Sequence, residues 1–178
     1  ASFVKANPNL EVLLSTTNTP ISLTKLEADV VLRITNNPPD YLFGRKIIDL
    51  KYAVYASGAL VNQVGMDAPY EDYPWIHHTE QIQSDWMDLW LKKNAPNASI
   101  SFRVDSAVTA RQAVESGVGV HFLPSSYAKL QPNLVRVGSE VGEVSLWFLT
   151  HPDLKTNGRV KAFSDFMFKE LRANNLRQ

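Results

Sequence analysis

The stretch Asp105–Pro124, DSAVTARQAVESGVGVHFLP, decides how the rest of the sequence is interpreted. Ser106 stands at an N-cap position, and small apolar residues follow it at helical spacing. Gly117 lies just past this helix, where a left-handed backbone suits glycine. The apolar run Gly119–Leu123 then predicts a short interior strand that ends at a proline. The segment 99–105, SISFRVD, is predicted to form a strand before the helix. Strand, helix and strand together are the repeating unit of a parallel sheet.

A helix that begins at the carboxyl end of a strand is the usual ligand-binding position of open α/β sheets. Ser106 therefore has two interpretations: it contacts a ligand, or it only caps its helix. The two are compatible, since the first-turn amides can hold an anion beside a capping side chain.

Composition restricts the class of protein. The 178 residues are 44% hydrophobic and 10% aromatic, which is enough for a packed core and too much for disorder. Eighteen basic and 18 acidic residues give zero formal charge, so we do not expect this polypeptide to hold DNA by itself. The absence of cysteine excludes disulfides, thiolate metal sites and a cysteine nucleophile. No apolar run approaches the length of a membrane span.

The remaining pattern predicts further strands and helices. Strands are expected at Leu10–Leu14, Asp29–Ile34 (buried and parallel), Arg45–Tyr55, Trp75–His78, Leu134–Val137 and Val144–Thr150. Helices are expected at Pro20–Glu27, at Asp85–Lys93 with Ser84 as its cap, at Ser125–Leu130 and at Asn157–Ala173. The pattern indicates two α/β units joined by crossings near Ser57 and Thr150. We expect one lobe from residues 1–56 and 150–178, and a second from residues 57–149.

Four segments in this order resemble the effector-binding domain of LysR-type transcriptional regulators. Besides the opening stretch, they are LEADVVLRI (Leu26–Ile34), WFLTHP (Trp147–Pro152) and RVKAFSDFMFKEL (Arg159–Leu171). The resemblance covers nearly the whole chain. The family's winged helix-turn-helix is not among the matched segments, and neither are the first strand and most of the first helix of the effector domain. Ala1 is therefore expected partway along that first helix, in an N-terminally truncated first lobe.

The resemblance implies a fold and a role. The fold would be α/β, with two Rossmann-like subdomains and a cleft between them, in the manner of type 2 periplasmic binding proteins. The protein would sense a small organic anion in that cleft and relay its state to a missing DNA-binding domain, through which alone it would contact DNA. A homodimer, a cytoplasmic location, no cofactor and no membrane association are also implied.

Six residues are candidates for contact with the effector: Thr16, Arg33, Thr35, His78, Thr79 and Ser106. The family places effector contacts at the positions of Ser106 and Thr16, and we therefore favour ligand contact over simple capping at Ser106. Thr16 could equally serve a turn. Arg33 could clamp a carboxylate or form a surface ion pair.

Other chemistries receive less support from the sequence. Adjacent histidines on a strand, as in His77-His78-Thr79-Glu80, point to opposite faces, and no second histidine cluster exists to complete a metal site. No G-x-S-x-G nucleophile elbow is present, and Gly117-x-Gly119 lacks the third glycine of a dinucleotide-binding turn. Trp86 and Trp90 could stack on an aromatic effector, although core packing is the favoured role. A stand-alone solute-binding protein of the same fold is the main alternative, and a small α/β enzyme is the third class.

Overall fold

The computed structural model describes residues 2–16, 27–79 and 85–175, and these residues form both helices and strands. The strands are β1 (Val30–Ile34), β2 (Phe43–Ser57), β3 (Trp75–His78), β4 (Ile100–Val104), β5 (His121–Pro124) and β6 (Leu134–Thr150). The helices are α1 (Ser2–Ala6), α2 (Gly58–Val64), α3 (Asp85–Asn94), α4 (Ala107–Glu115), α5 (Ser125–Ala128) and α6 (Gly158–Asn175), with short 3-10 turns at Tyr70–Asp72 and Pro152–Leu154.

The chain divides into two compact units. The first contains residues 1–49 and 144–178, and the second contains residues 50–143. The chain passes from one unit to the other inside β2, at Asp49/Leu50, and inside β6, at Glu143/Val144. The sequence placed these crossings near Ser57 and Thr150. The hydrogen-bonded strand order that includes both long strands is β1-β6-β2-β5.

The first unit is built on an antiparallel strand pair and the long helix α6. Along β1 and β6, Val30 lies opposite Thr150 and Ile34 lies opposite Leu146. The ring of Phe3, on α1, packs 5.1 Å from the ring of Phe163 on α6. This contact lets the short α1 bury an apolar side chain that five residues of helix could not bury alone.

The second unit contains the predicted parallel arrangement. β3 and β4 pair in parallel, and Val120, just before β5, forms a parallel bridge to Trp75 of β3. Helix α4 packs Ala110, Ala113 and Val114 into a core cluster with residues of β2, β3, β4 and β5. The strand–helix–strand prediction from the opening stretch is therefore confirmed.

Gly117 ends α4 in the way that the sequence predicts. Its φ is +78°, in the left-handed region that favours glycine. The amide of Gly117 donates to the carbonyl of Val114 at 3.0 Å, and the amide of Val118 donates to that of Ala113 at 3.0 Å. These bonds satisfy carbonyls in the last turn of the helix. A Cβ on Gly117 would lie 3.1 Å from Oγ of Ser57.

Three predictions about strands were wrong in part. Residues 10–14 form no strand, and the side chains of Leu13 and Leu14 are 91% and 84% exposed. β1 is antiparallel to β6 rather than parallel, and most of its residues are exposed rather than buried. The strands expected at residues 134–137 and 144–150 are one continuous strand, β6. The expected helix at residues 20–27 falls almost entirely outside the described residues, as does Ser84 with its expected cap.

Candidate functional site

The candidate site lies in the second unit, where β3 and β4 end and α4 begins. His78, the last residue of β3, is in register with Val104, the last residue of β4. The amide of Thr79 donates to the carbonyl of Val104 at 2.8 Å, which extends the parallel pairing by one residue. Ser106 follows as the N-cap of α4. The strand pairing thus brings three of the sequence-predicted residues, His78, Thr79 and Ser106, to one end of the parallel pair.

Ser106 occupies the N-cap position without making the expected capping bond. Its backbone is extended, as an N-cap requires, but its side chain accepts no hydrogen bond from the helix. Ser57 provides a comparison, since it caps α2 in the same unit and its Oγ accepts from the amide of Leu60 at 3.2 Å. The predicted N-cap position of Ser106 is therefore confirmed, but its side chain does not make the capping bond that was one of the two interpretations of this residue. The first-turn amides of α4 thus receive no capping bond from the Ser106 side chain.

Two buried polar atoms at the end of β3 find no hydrogen-bond partner within the described ranges of the chain. They are Nδ1 of His78, whose residue is only 7% exposed, and Oγ1 of Thr79. A buried polar group without a partner costs about 1–3 kcal/mol, so such atoms ordinarily mark a place that a water molecule or ligand completes. Thr79 shares a pocket with Asp105 and Thr109 at the N-terminus of α4, which adds to the case for a binding site there, whereas the His78 ring packs on His121.

An open pocket of about 330 Å³ adjoins these groups, and Thr79, Phe102, Arg103, Val104, Asp105 and Thr109 line it. Arg103 donates from Nη1 to the carbonyl of His78 at 3.4 Å, which holds the guanidinium at the end of β3. The positive end of the α4 dipole and this guanidinium favour an anion. Asp105 lines the same pocket and opposes an anion on its side.

Three histidines surround the end of β3. Nδ1 of His77 contacts the carbonyl of His78 at 3.0 Å, while Nε2 of His77 lies 2.9 Å from a carboxylate oxygen of Asp88 on α3. On the other face of the strand, the rings of His78 and His121 meet edge to face with centroids 4.7 Å apart. Nδ1 of His121 donates to the carbonyl of Ile76 at 2.9 Å. The two adjacent histidines of β3 thus point to opposite faces, as the sequence predicts.

Burial sets the protonation of two of these rings. Burial, and after it the neighbouring His78, lowers the pKa of His121 to about 3. The pKa of His78 is also lowered, first by burial and then by His77, although the Val104 carbonyl and Asp88 act in the opposite direction. Both rings are therefore neutral near pH 7, and a neutral ring can either donate or accept at its unpartnered nitrogen.

The other three predicted residues lie in the first unit. Thr16 is exposed and belongs to no helix or strand. Arg33 is exposed on β1, opposite Trp147 in the β1–β6 ladder. Thr35 follows β1, and its polar groups bond within the protein: its hydroxyl accepts from the amide of Asn37 at 3.1 Å. Its carbonyl accepts from Nε1 of Trp147 at 3.1 Å. Their role in effector contact stays a prediction.

The alternative roles considered for other side chains can be compared with the structure. Trp86 and Trp90 each pack 5.3 Å from the ring of Phe122, and they also contact Tyr52 and Tyr70 respectively, so they pack within the second unit. Across the described part of the chain, no group of three or more potential ligands is placed to hold a metal ion. No helix among the described residues is both long and apolar enough to span a membrane.

The sequence interpretation missed three members of the site. Arg103 and Thr109 carried no signal that distinguishes them from the many polar residues that face solvent on strands and helices. His121 carried a usable signal, since it is the single titratable residue in the apolar run that forms β5. A polar side chain in such a run must find a partner inside the protein.

Comparison with known proteins gives one family. The LysR substrate binding domain matches residues 1–172. The chain is similar to the regulatory domain of CrgA, a LysR-type transcriptional regulator from Neisseria meningitidis, at 20% identity and a TM-score of 0.81, over 96% of this chain and 88% of that one. It is also similar to the effector domain of the transcriptional regulator AmpR of Pseudomonas aeruginosa, at 17% identity and a TM-score of 0.77, over 97% and 86%.

A longer structure is similar as well. Full-length AphB, a virulence activator from Vibrio cholerae, shares 18% identity and a TM-score of 0.71, over 95% of this chain and 61% of that one. Identities this low establish the fold alone. No curated protein matches the sequence significantly.

Proposed function

The chain belongs to the LysR substrate binding domain family, and on that premise we propose that it senses a small organic anion at the ends of β3 and β4. The fold is the α/β fold of the type 2 periplasmic-binding-protein kind that this family adopts. In the proposal, the anion lies against the N-terminus of α4 and contacts Ser106, Thr79 and Arg103.

The observation that carries this proposal is that Ser106 is the N-cap residue of α4 but makes no capping hydrogen bond with its side chain. A serine at an N-cap ordinarily gives its oxygen to the helix, and such a cap contributes about 1 kcal/mol. Ser106 does not do so, whereas Ser57 does. A ligand anion can take the place of the capping oxygen, because the first-turn amides are donors and the helix dipole favours negative charge there.

The buried atoms beside the helix support the same location. Oγ1 of Thr79 finds no hydrogen-bond partner among the residues that the structure describes, and Thr79 lines the pocket. A hydroxyl of this kind can donate to an oxygen of the ligand. Asp105 restricts the orientation of the ligand, because its carboxylate repels an anion. The anionic end of the ligand must therefore lie on the side of Arg103 and the helix amides.

The family match supports a signalling role. We propose that ligand binding shifts the population of the domain's conformations, because the ligand binds one of them more tightly than the others. The change would pass to a DNA-binding domain elsewhere in a LysR-type regulator, within a homodimer in the cytoplasm. A role for Thr16, Arg33 and Thr35 in effector contact is also part of the proposal.

A ligand screen followed by calorimetry tests the site. A thermal-shift screen of small carboxylates should first find a compound that stabilises the protein. Its affinity should then fall roughly 10- to 100-fold in Ser106→Ala and Thr79→Val, the usual effect of removing a hydrogen bond to a charged group. Ser57→Ala is the matched control, since it removes a serine cap in the same unit away from the pocket. Unchanged affinity in Ser106→Ala would place the site elsewhere.

The two other functional classes make different predictions. A stand-alone solute-binding protein would carry a signal peptide in its full-length gene, whereas a regulator would encode a helix-turn-helix upstream of residue 1. A small α/β enzyme would turn over an ester or phosphate from a substrate panel. Sequencing the gene upstream of residue 1 distinguishes the regulator from the solute-binding protein. The substrate panel tests for the enzyme.

A further inference from the structure

We propose that the ligand of the pocket at the ends of β3 and β4 is a zwitterion, an α-amino acid with an apolar side chain, rather than a simple carboxylate. This inference rests on the function proposed above and names the chemical class of the ligand. The pocket has a volume of about 330 Å³, and its lining contains a guanidinium, a carboxylate and an aromatic ring.

The first argument is the charge of the lining. Arg103 and Asp105 both line the pocket and are two residues apart in the chain, so one small volume has a positive and a negative group in its wall. A ligand with only a carboxylate is attracted by Arg103 and repelled by Asp105. A ligand with only an ammonium group meets the reverse pair of forces. An amino acid carries both charges on one carbon atom, so each can face the group of opposite sign.

The carboxylate of the ligand belongs on the side of Arg103 and α4. Arg103 uses one of its five guanidinium donors in the bond from Nη1 to the carbonyl of His78 at 3.4 Å, which holds the group at the end of β3. The positive end of the α4 dipole lies at Ser106, whose side chain makes no capping bond. Both features favour a negative group there.

The ammonium group of the ligand belongs on the side of Asp105. A carboxylate has two oxygens and can accept from several donors at once, so Asp105 can bind an ammonium group in addition to its contacts within the protein. Oγ1 of Thr79 is buried and finds no hydrogen-bond partner among the described residues. A hydroxyl both donates and accepts, so Thr79 can donate to the carboxylate of an amino acid and accept from its ammonium group.

The second argument is the exposed ring of Phe102. This side chain is 41% exposed on β4, and it lines the same pocket as the two charged groups. Covering the ring with an apolar group removes apolar surface from water, and a second aromatic ring adds a stacked or edge-to-face contact. An apolar side chain on the ligand therefore complements this part of the lining.

Three probes of similar size test the charge requirement. L-Phenylalanine carries both charges, 3-phenylpropionate carries the carboxylate alone, and 2-phenylethylamine carries the ammonium group alone. Each should be titrated into the protein at pH 7, with binding followed by the backbone amide signals of residues 102–109. We expect the dissociation constant of L-phenylalanine to be at least about threefold lower than that of either analogue, as one additional ion pair in an open site allows.

Asp105→Asn tests the group assigned to the ammonium, because it removes the charge and keeps the size of the side chain. L-Phenylalanine should bind this variant at least about threefold more weakly. 3-Phenylpropionate should bind it as tightly as before or more tightly, because the repulsion is gone. A general loss of structure would weaken both probes. Asp153→Asn is the matched control, since this carboxylate is 86% exposed, lies in the first unit and does not line the pocket. It should leave the order of the three probes unchanged.

Phe102→Ala tests the apolar contact. All three probes place a phenyl ring on Phe102, so all three should bind this variant more weakly. Unchanged affinities would contradict the contact between Phe102 and the ligand side chain.

The outcomes distinguish this inference from the proposed function. If 3-phenylpropionate binds as tightly as L-phenylalanine, or if Asp105→Asn leaves their order unchanged, the zwitterion is wrong and the anion site stands. If no probe shifts the amide signals of residues 102–109, both proposals are wrong. If Asp105→Asn does not fold, the order of the three affinities in the unaltered protein decides the question.

Discussion

His78 and His121 form an edge-to-face pair inside the second unit, with ring centroids 4.7 Å apart and ring planes at 88°. The two rings come from strands β3 and β5, which are brought together by the parallel bridge between Trp75 and Val120. Only 2% of the surface of His121 is exposed. Two imidazoles can pack this closely in a core only while neither carries a charge.

Acid should therefore destabilise the protein through His121. Burial lowers the pKa of His121 in the folded state to about 3, whereas the unfolded chain has the ordinary value near 6.5. The unfolded state thus binds more protons between these values, and stability falls as the pH drops below 6.5. The loss should approach roughly 1.4 kcal/mol per pH unit.

Urea unfolding at pH 7.5, 5.5 and 4.5 measures this effect. His121→Asn is the matched variant, because its amide can still donate to the Ile76 carbonyl but cannot take up a proton. Its unfolding free energy should depend less on pH than that of the unaltered protein. Equal acid sensitivity in the two proteins would mean that other groups are responsible.

The two serine N-caps should respond differently to alanine. Ser57→Ala removes the bond from Oγ to the amide of Leu60 and should lower the unfolding free energy by about 1 kcal/mol. Ser106→Ala removes no such bond and should change it by a few tenths of a kcal/mol at most. Chemical denaturation of both variants measures the difference. A loss of about 1 kcal/mol in Ser106→Ala would show that its hydroxyl caps α4 in solution.

Gly117→Ala should be strongly destabilising. A φ of +78° costs a residue with a Cβ about 1–2 kcal/mol, and the added atom would also crowd Oγ of Ser57 at 3.1 Å. Gly158→Ala is the control, because a Cβ there meets no atom within 4 Å, and Gly158 begins α6. That change should be neutral or slightly stabilising. The midpoint of thermal unfolding should therefore be clearly lower in Gly117→Ala than in Gly158→Ala. Equal midpoints in the two variants would contradict a backbone at Gly117 that only glycine adopts without strain.

Trp75→Ala should cost about 3–5 kcal/mol, the usual range for removing a buried tryptophan. The side chain is fully buried, packs 5.3 Å from Phe122, and donates from Nε1 to the carbonyl of Tyr70 at 2.8 Å. Trp75→Phe keeps a ring and loses this hydrogen bond, so it should cost clearly less. Unfolding curves of the two variants measure how much unfolding free energy each change removes. Near-equal losses would show that the hydrogen bond matters more than the packing.

Local patterns predicted the second unit well. The strand Trp75–His78 was predicted with the bounds that β3 has, and the glycine that ends α4 was recognised from its position alone. The resemblance to LysR-type effector domains is confirmed by the family match. These features depend on residues close together in sequence, such as a helical stripe followed directly by glycine.

The errors concern partners that lie far apart in the chain. Leu10–Leu14 has the apolar character of a strand, but a strand also needs a neighbour to pair with, and the segment alone cannot reveal one. β1 was expected to be parallel because its β-branched run is typical of buried strands, yet its partner β6 comes from the other end of the sequence. Ser106 has the position of an N-cap but makes no capping bond with its side chain, and sequence does not specify whether such a bond forms.

The crossing of the chain inside β2 and β6 has a consequence for the order of folding. Residues 50–143 are contiguous, so a ribosome releases everything that the second unit needs before it releases residue 144. β1 cannot pair until Leu146–Thr150 has been made, since those residues form the other side of its ladder. A second unit that is already folded shortens the loop that this late pairing must close, and so lowers its entropic cost. During synthesis, β1 must therefore wait unpaired while the polypeptide that follows it folds.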